Sequence, residues 1–424
     1  MKQYQELAGF LSLRPNQQTE FDRIKHLIQA AHLQSGFRTY DAPLIYRADA
    51  LLAKSGGETD KQVYQLEKGD AKLALRFDLT VPLALFVAGN QRELAFPLKI
   101  SQINKVYRGE KTGKGRLREF YQCDADVIAR GTLPLEYDAE CIALVDTIYS
   151  QLFAGRAEFV IRLANRKLLT GFLESLGLGE SALKVRKVID DAEKISAADF
   201  QAELQKYGVS AGQFDQIKNF IELRGDADSV FAKLDQLDIT TPDFLTGIAE
   251  LKTLTSNLQT RQVKNVILDL AIVRGLDYYT GTVFETNIKG SESYGSIMSG
   301  GRYDNLVSNY SSEKFEGVGA SIGLSRLYQV LVELGLIQPE AQTRLGVDLL
   351  FLPIGDDPAA YQAASAFAIA SAKLAQASGQ TTDILFADRS LSKKMEYANK
   401  SGAKNVAVIG DQEVQSQTYQ VKPL

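Results

Sequence analysis

The chain has 424 residues, 45% hydrophobic and 24% charged, with a formal net charge of −4. That length supports two or three domains with a real core, and the mixture is that of an ordinary globular protein. The acidic balance excludes binding to nucleic acid by bulk basicity, so such a partner would need local basic patches. The polar N-terminus Met1-Lys-Gln-Tyr-Gln-Glu6 carries no secretory signal, and no long uncharged apolar run follows. No membrane partner is therefore expected. Cys123 and Cys141 are the only cysteines, which argues against a disulfide framework and fits a reducing cytoplasm. No Cys/His cluster has the makings of a zinc site, and no protein-held metal is expected.

Residues 16–34 carry Phe21, Ile24, Leu27, Ile28 and Ala31 on one helical face, and Gly36 stops that helix. The only histidines, His26 and His32, lie in it without i, i+4 spacing, and both read as surface or groove residues. Phe37–Ile45 reads as a strand leading into a short helix at Tyr46–Ser55. Strand-like runs follow at Val63–Leu66 and Lys72–Phe77, then a helix from Thr80 to Ala88 with Pro82 in its first turn. Leu98–Tyr107 and Glu119–Ile128 are strands around a polar loop, Leu135–Phe153 is an amphipathic helix, Phe159–Leu163 a strand and Arg166–Leu176 a helix. Residues 180–262 show helical spacing of Leu, Ile and Phe without strand-like alternation, and read as a helical insertion. Strands return at Val266–Ile288, Gly295–Gly301 and Val318–Gly323, with a helix at Ser325–Leu334. After a linker at 336–345, the order β-α-β-α-β over Val347–Ile409 predicts a small α/β domain with a largely parallel sheet.

Two clusters resist a core reading. Ile272-Val-Arg-Gly-Leu-Asp-Tyr-Tyr-Thr-Gly-Thr-Val-Phe-Glu285 and Ser299-Gly-Gly-Arg-Tyr-Asp304 are charged, aromatic and glycine-rich, which suits a pocket for a small polar ring and a phosphate. A tight turn between strands is the alternative for either one. Between the strands at 98–107 and 119–128 lie Lys111, Lys114, Arg116 and Arg118, with Gly113 and Gly115 among them. Glycines let backbone approach a ligand and arginine forks grip phosphate, so a polyphosphate or an RNA end is the natural guest; a solvated hairpin is the alternative. The Gly-Lys-Ser/Thr ending of a Walker loop is absent. Asp78 and Thr80, two apart at a strand end, point to one side and can hold an ammonium group, cap a helix, or do both. Arg326 falls in the first turn after Gly317-Val-Gly-Ala-Ser-Ile-Gly323, off the core face, where it can stack on a base or stay on the surface.

These pieces, in this order, resemble the class II aminoacyl-tRNA synthetases, and within them the histidyl-tRNA synthetase family. Pro43 sits where the first class motif has its proline. Tyr107-Arg-Gly-Glu110 with Arg118-Glu-Phe120 resembles the second motif, and Gly323-Leu-Ser-Arg326 the third. Arg274-Gly-Leu-Asp-Tyr-Tyr279 and Gly300-Gly-Arg-Tyr303 are similar to the two histidine signatures. The form Arg118-Glu-Phe-Tyr-Gln-Cys-Asp124 is closer to the eukaryotic-type branch than to the common bacterial one. The resemblance covers nearly the whole chain. It implies an α+β catalytic domain with a mainly antiparallel class II synthetase-type sheet (1–179 and 263–335), interrupted by the helical insertion (180–262). It also implies a C-terminal α/β anticodon-binding-type domain (346–424).

The implied reaction joins histidine to ATP as histidyl-adenylate and then passes it to histidine-specific tRNA. Arg108 and Arg274 would grip the α-phosphate from two sides as the catalytic pair. Glu110 would take the adenine amino group, Phe120 and Arg326 would sandwich the ring, and Arg116 would meet the outer phosphates. Asp78, Thr80 and Gln122 would hold the ends of histidine, with Asp126, Tyr278, Tyr279 and Tyr303 about the imidazole. Mg²⁺ would accompany ATP. Lys111, Lys114, Arg389, Lys393 and Lys394 are the candidate tRNA contacts. Residues 344–424 carry eight basic and eight acidic side chains, so any footprint there is local. The family pattern also leads one to expect a further strand and helix beyond Leu424. A homodimer built partly from Phe37–Ser55 is expected. The rival function is a non-catalytic, histidine-binding regulatory subunit of ATP phosphoribosyltransferase; the presence of Arg108, Arg116, Arg274, Arg326 and a terminal domain favours the enzyme.

Overall fold

The structure, a computed structural model, describes residues 6–52, 62–190, 192, 195–272, 278–338, 346–387 and 389–424. Two compact units emerge, one of residues 23–336 with 1–11 and one of 337–424 with 12–22. The first is built on a nine-stranded sheet. Its strands are β1 (Arg38–Thr39), β5 (Leu98–Tyr107), β6 (Glu119–Arg130), β7 (Phe159–Asn165), β8 (Arg224–Gly225), β9 (Val266–Asp269), β10 (Thr282–Ile288), β11 (Met298–Tyr303) and β12 (Phe315–Gly323). They lie in the order β1-β5-β6-β12-β11-β10-β7-β9-β8. The central ladders are antiparallel; only the β1–β5 and β7–β9 pairs are parallel. A second sheet of β2 (Ile45–Arg47), β3 (Gln65–Lys68) and β4 (Ala71–Leu75) sits apart.

The strand expected over Phe37–Ile45 is broken into β1 and β2. Pro43 has no N–H to give a ladder, and the buried Arg76 donates to the carbonyls of Ala42 and Pro43 at 2.5 and 3.3 Å. The helix expected from Tyr46 starts at Ala48, because Ile45–Arg47 pair with Leu73–Leu75 instead. His32 is not on the surface. It is 1% exposed and its Nδ1 lies 2.8 Å from Ser101 Oγ on β5. Burial lowers its pKa to about 4, so the ring is neutral near pH 7.

The region read as the insertion contains helices Ala182–Asp190, Ala197–Gln205, Ala211–Ile221 and Ala227–Asp235. The two-residue β8 joins the large sheet against β9, where no strand was expected. The last helix, Pro242–Thr260, packs on helix Arg166–Ser175. A Cβ added to Gly171 would lie 2.2 Å from the Phe244 nitrogen, and one at Gly247 would lie 2.5 Å from the Leu168 nitrogen. Glu250 on that helix accepts from Asn165 Nδ2 at 2.7 Å and pairs with Lys167. Glycine lets the two helix backbones touch, and the polar pairs fix their register.

The second unit has a four-stranded sheet ordered Thr382–Ile384, Leu349–Pro353, Asn405–Ile409, Lys422–Pro423, the first three strands parallel. Alternate side chains of Leu349–Pro353 serve two cores. Leu349 and Phe351 cluster with Ala364, Ala368 and Ala372 of helix Pro358–Ala377. Leu350 and Leu352 cluster with Ala398 of helix Leu391–Ser401. Such two-sided burial is what a parallel sheet requires.

Candidate functional site

One face of the large sheet carries a cavity of about 260 Å³. Its chemistry follows from register. In antiparallel ladders, paired residues share a face, so Gln102 of β5, Asp124 of β6, Ser321 of β12, Ser299 of β11 and Glu285 of β10 form one polar row. The next row runs Ile100, Asp126, Gly319, Gly301, Val283. Its glycines make room: a Cβ at Gly319 would lie 2.1 Å from Asp126 Oδ1, and one at Gly301 3.0 Å from the Tyr279 ring. Beyond it, Tyr303 leans over Gly317, where a Cβ would meet the ring at 2.3 Å.

The cavity brings together Asp78, Thr80, Arg108, Glu110, Arg116, Phe120, Gln122, Tyr278, Tyr279 and Arg326. Along β6 the face reads Phe120, Gln122, Asp124, Asp126 at intervals of two residues. Arg108 donates through Nε to the Phe77 carbonyl at 2.9 Å, with its guanidinium 5.2 Å above the Phe120 ring. Arg326 donates to the carbonyls of Gly115 and Ser296 at 2.9 and 2.6 Å. Arg116 lies 4.0 Å from Glu110. Asp78 accepts the Val81 N–H at 3.1 Å, so it caps the helix Thr80–Asn90 while lining the cavity. Tyr278 Oη donates to Asp78 across 3.4 Å and is also hydrogen-bonded to Thr80. Gln102 donates to the Leu79 carbonyl at 2.9 Å and so anchors the Asp78–Thr80 segment to the sheet.

Asp126 and Tyr303 do not line this cavity. Both are buried, Tyr303 Oη donates to Asp126 Oδ1 at 2.7 Å, and the Tyr303 ring meets Tyr278 edge-on at 5.9 Å. Arg274, with the rest of residues 273–277, lies outside the described residues. Among the described residues no cluster of acidic, His or Cys side chains suits a metal ion. Burial dominates the electrostatics. It pushes Asp78 up to about 6 and Asp126 up to about 7, and raises Asp124 well above the ordinary range, with Asp126 adding to that rise.

Sequence reasoning gave no role to Asp124, Ser321, Ser299, Glu285 or Gln102, although Ser299 and Glu285 lie in the two clusters it read as pocket-forming. Asp124 lies within the Arg118–Asp124 stretch and two residues from both Gln122 and Asp126, a signal that alternation alone would have used. The other four come from distant strands. Among the candidate RNA contacts, Lys111 is exposed, and Lys114 pairs with Glu333 beside the Tyr294 ring. Arg389 and Lys393 are exposed, but Lys394 is not part of a surface footprint. It is 1% exposed, donates to the Pro353 carbonyl and sits 4.9 Å from the Tyr361 ring centre.

A family model described as Histidyl-tRNA synthetase matches residues 9–327. The chain belongs to the histidyl-tRNA synthetase family. The histidine–tRNA ligase of Clostridium tetani is 40% identical over 98% of this chain and 93% of its own. That of Finegoldia magna is 39% identical over 100% and 95%. A crystal structure of histidyl-tRNA synthetase from Nostoc sp. PCC 7120 superposes with a TM-score of 0.85 at 33% identity, covering 100% of this chain and 95% of that one. An ATP phosphoribosyltransferase regulatory subunit/histidyl-tRNA synthetase from Bacillus halodurans shares the fold, with a TM-score of 0.77 at 21% identity over 96% of this chain and 98% of that one. This family member sets its polar row across the middle of the large sheet.

Proposed function

We propose that the chain is a histidine–tRNA ligase, activating histidine with ATP and esterifying histidine-specific tRNA. The observation that carries the reading is the single cavity that collects guanidinium groups, an aromatic wall and buried carboxylates. The histidine carboxylate attacks the α-phosphorus, the acyl-phosphate bond forms, and the bond to the departing pyrophosphate breaks. Charge neutralisation and alignment dominate such a step. Arg108 and Arg274 face the α-phosphate, and Arg116 the outer phosphates. Glu110, Phe120 and Arg326 hold adenine, the planar guanidinium of Arg326 suiting a stacked base. Asp78, Thr80 and Gln122 hold the amino acid's ends. Asp126 and Tyr303, with Tyr278 and Tyr279, form the layer that meets the imidazole, and admitting it there requires the two inner side chains to open toward the cavity. Mg²⁺ arrives with ATP.

An adjoining cavity of about 710 Å³ shares Arg116, Glu285, Ser296 and Arg326 with the first and adds Lys114, Arg162, Arg224 and Lys289, each ion-paired with a carboxylate, together with Glu158 and Glu292. Lys111 and Lys114 serve the tRNA acceptor end, and Arg389 and Lys393 the anticodon side. The protein acts as a cytoplasmic homodimer. The decisive assay is histidine-dependent exchange of pyrophosphate into ATP. Robust exchange is expected, and Arg274→Ala should abolish it while sparing histidine binding. Tight histidine binding with no exchange would instead mark a regulatory subunit.

A further inference from the structure

Asp124 lines the cavity, yet the assignments above give it no part. It is 2% exposed, and its Oδ1 has no hydrogen-bond partner among the described residues. The same holds for Gln122 Oε1, the neighbour on the same face of β6. Ser321 links the two. Gln122 Nε2 donates to Ser321 Oγ at 2.9 Å, and the Ser321 hydroxyl is hydrogen-bonded to Asp124. This relay uses one N–H of the Gln122 amide and leaves its carbonyl oxygen without a donor. It also ties down Asp124 and leaves one carboxylate oxygen unmet. Burial, then Asp126 and Asp78, raises the cost of charge on Asp124, and Arg108 only partly opposes it. The cavity thus presents two unsatisfied oxygens, on Gln122 and Asp124, beside carboxyl groups that burial holds toward the protonated form until a positive charge joins them.

A neutral donor would satisfy the oxygens and bring no positive charge. A carboxylate or phosphate would add negative charge. A primary ammonium answers both needs, because it brings three N–H donors and one positive charge. We infer that Asp124 is a second counter-ion for the α-ammonium group of the amino acid, facing Asp78, with Gln122 Oε1 as a further acceptor. This deepens the ligase reading and rests on it. It makes Asp124 a specificity-determining residue against amino-acid analogues that lack the amine, since they leave a buried carboxylate unpaired.

The test is calorimetric binding to the full chain of three ligands: histidine, histamine (amine without carboxylate) and imidazolepropionate (carboxylate without amine). Asp124→Asn keeps size and a partner for Ser321 while removing the charge. It should weaken histidine and histamine by about 10- to 100-fold, and leave imidazolepropionate and ATP within about threefold. An equal loss for all three imidazole ligands would place Asp124 at the ring and overturn the proposal, as would no loss for any. If Asp124→Asn does not fold, as judged by circular dichroism, Ser321→Ala provides the same comparison. Loosening Asp124 and Gln122 together should then penalise only the two amines, and a uniform loss overturns the proposal. Failure of the unmodified protein to bind histidine would overturn the ligase reading and this one together. Normal histidine binding by both forms would overturn only the role of Asp124.

Discussion

Arg302 lies in the middle of the Ser299–Asp304 cluster yet turns away from the cavity, because alternation along β11 sends Gly301 and Tyr303 to one face and Arg302 to the other. On its own side it is 4% exposed, paired with Asp138 at 2.6 Å and Glu316 at 3.3 Å, and it donates to the Pro134 carbonyl at 3.3 Å. Buried ion pairs contribute little over an apolar replacement, but breaking one strands a charge. Asp138→Ala should therefore destabilise the protein by about 3–5 kcal/mol in urea unfolding. The double change Arg302→Met with Asp138→Leu should recover most of that loss. If the double variant is as unstable as the single one, the charge is not what matters there. The arginine of this motif is thus a brace, and the tyrosine beside it lies on the opposite face, where it donates to Asp126.

At the scale of elements, the cavity depends on glycines that let side chains lie flat on the sheet. Gly319→Ala would drive a methyl group into Asp126, whose Oδ1 would be 2.1 Å away. Histidine affinity should fall at least about tenfold, an effect of roughly 1.4 kcal/mol, with ATP affinity little changed; equal losses of both would remove Asp126 from the amino-acid side. How much of this was legible in the sequence depended on distance along the chain. Asp78 with Thr80 was legible as a pair two residues apart, although Thr80 opens a helix rather than ending a strand, and Phe120 with Gln122 was legible through the family resemblance. Ser299, Ser321 and Glu285 were not, because only cross-strand register sets them beside Asp124. The strand at 37–45 looked continuous because Arg76, which interrupts it, is remote in sequence. His32 looked like a surface residue because the edge of an amphipathic helix reads as polar whether or not a strand covers it. The packing of helix 242–260 on helix 166–175 was not legible, because nothing local announces that Gly171 and Gly247 open its seat. The terminal domain was the most legible: its expected β-α-β-α-β order stands in the structure as Leu349–Pro353, Pro358–Ala377, Thr382–Ile384, Leu391–Ser401 and Asn405–Ile409, since each is a local pattern bounded by clear breaks.

For the whole molecule, the buried carboxylates set a pH dependence of stability. Asp78 and Asp126 titrate at about 6 and about 7 when folded, against about 3.9 unfolded. Protonation therefore favours the folded state. The stability it confers is fully present below about pH 4 and is lost as pH rises through 6 and 7. Asp126→Asn removes one such charge. Ligand-free protein carrying it should melt roughly 2–4 °C higher at pH 8, and the gain should shrink toward pH 5. A gain that is flat with pH would mean the carboxylate is not the cause. Binding of a cationic ligand should narrow the same difference.

The order of strands carries a consequence for synthesis. β12 enters the sheet between β6 and β11, although β6 is made long before it; Gln122 and Ser321, which bond across that seam, are 199 residues apart. Until β12 emerges, β6 presents an open edge with unpaired backbone groups, the kind of template that recruits a second chain. The insertion helices and the β5–β6 hairpin can form from local contacts in the meantime, whereas the seam must wait for a long loop to close. A chain growing on the ribosome therefore lacks this cavity until Arg326 has left the exit tunnel, and a product ending before Phe315 should leave the β6 edge exposed.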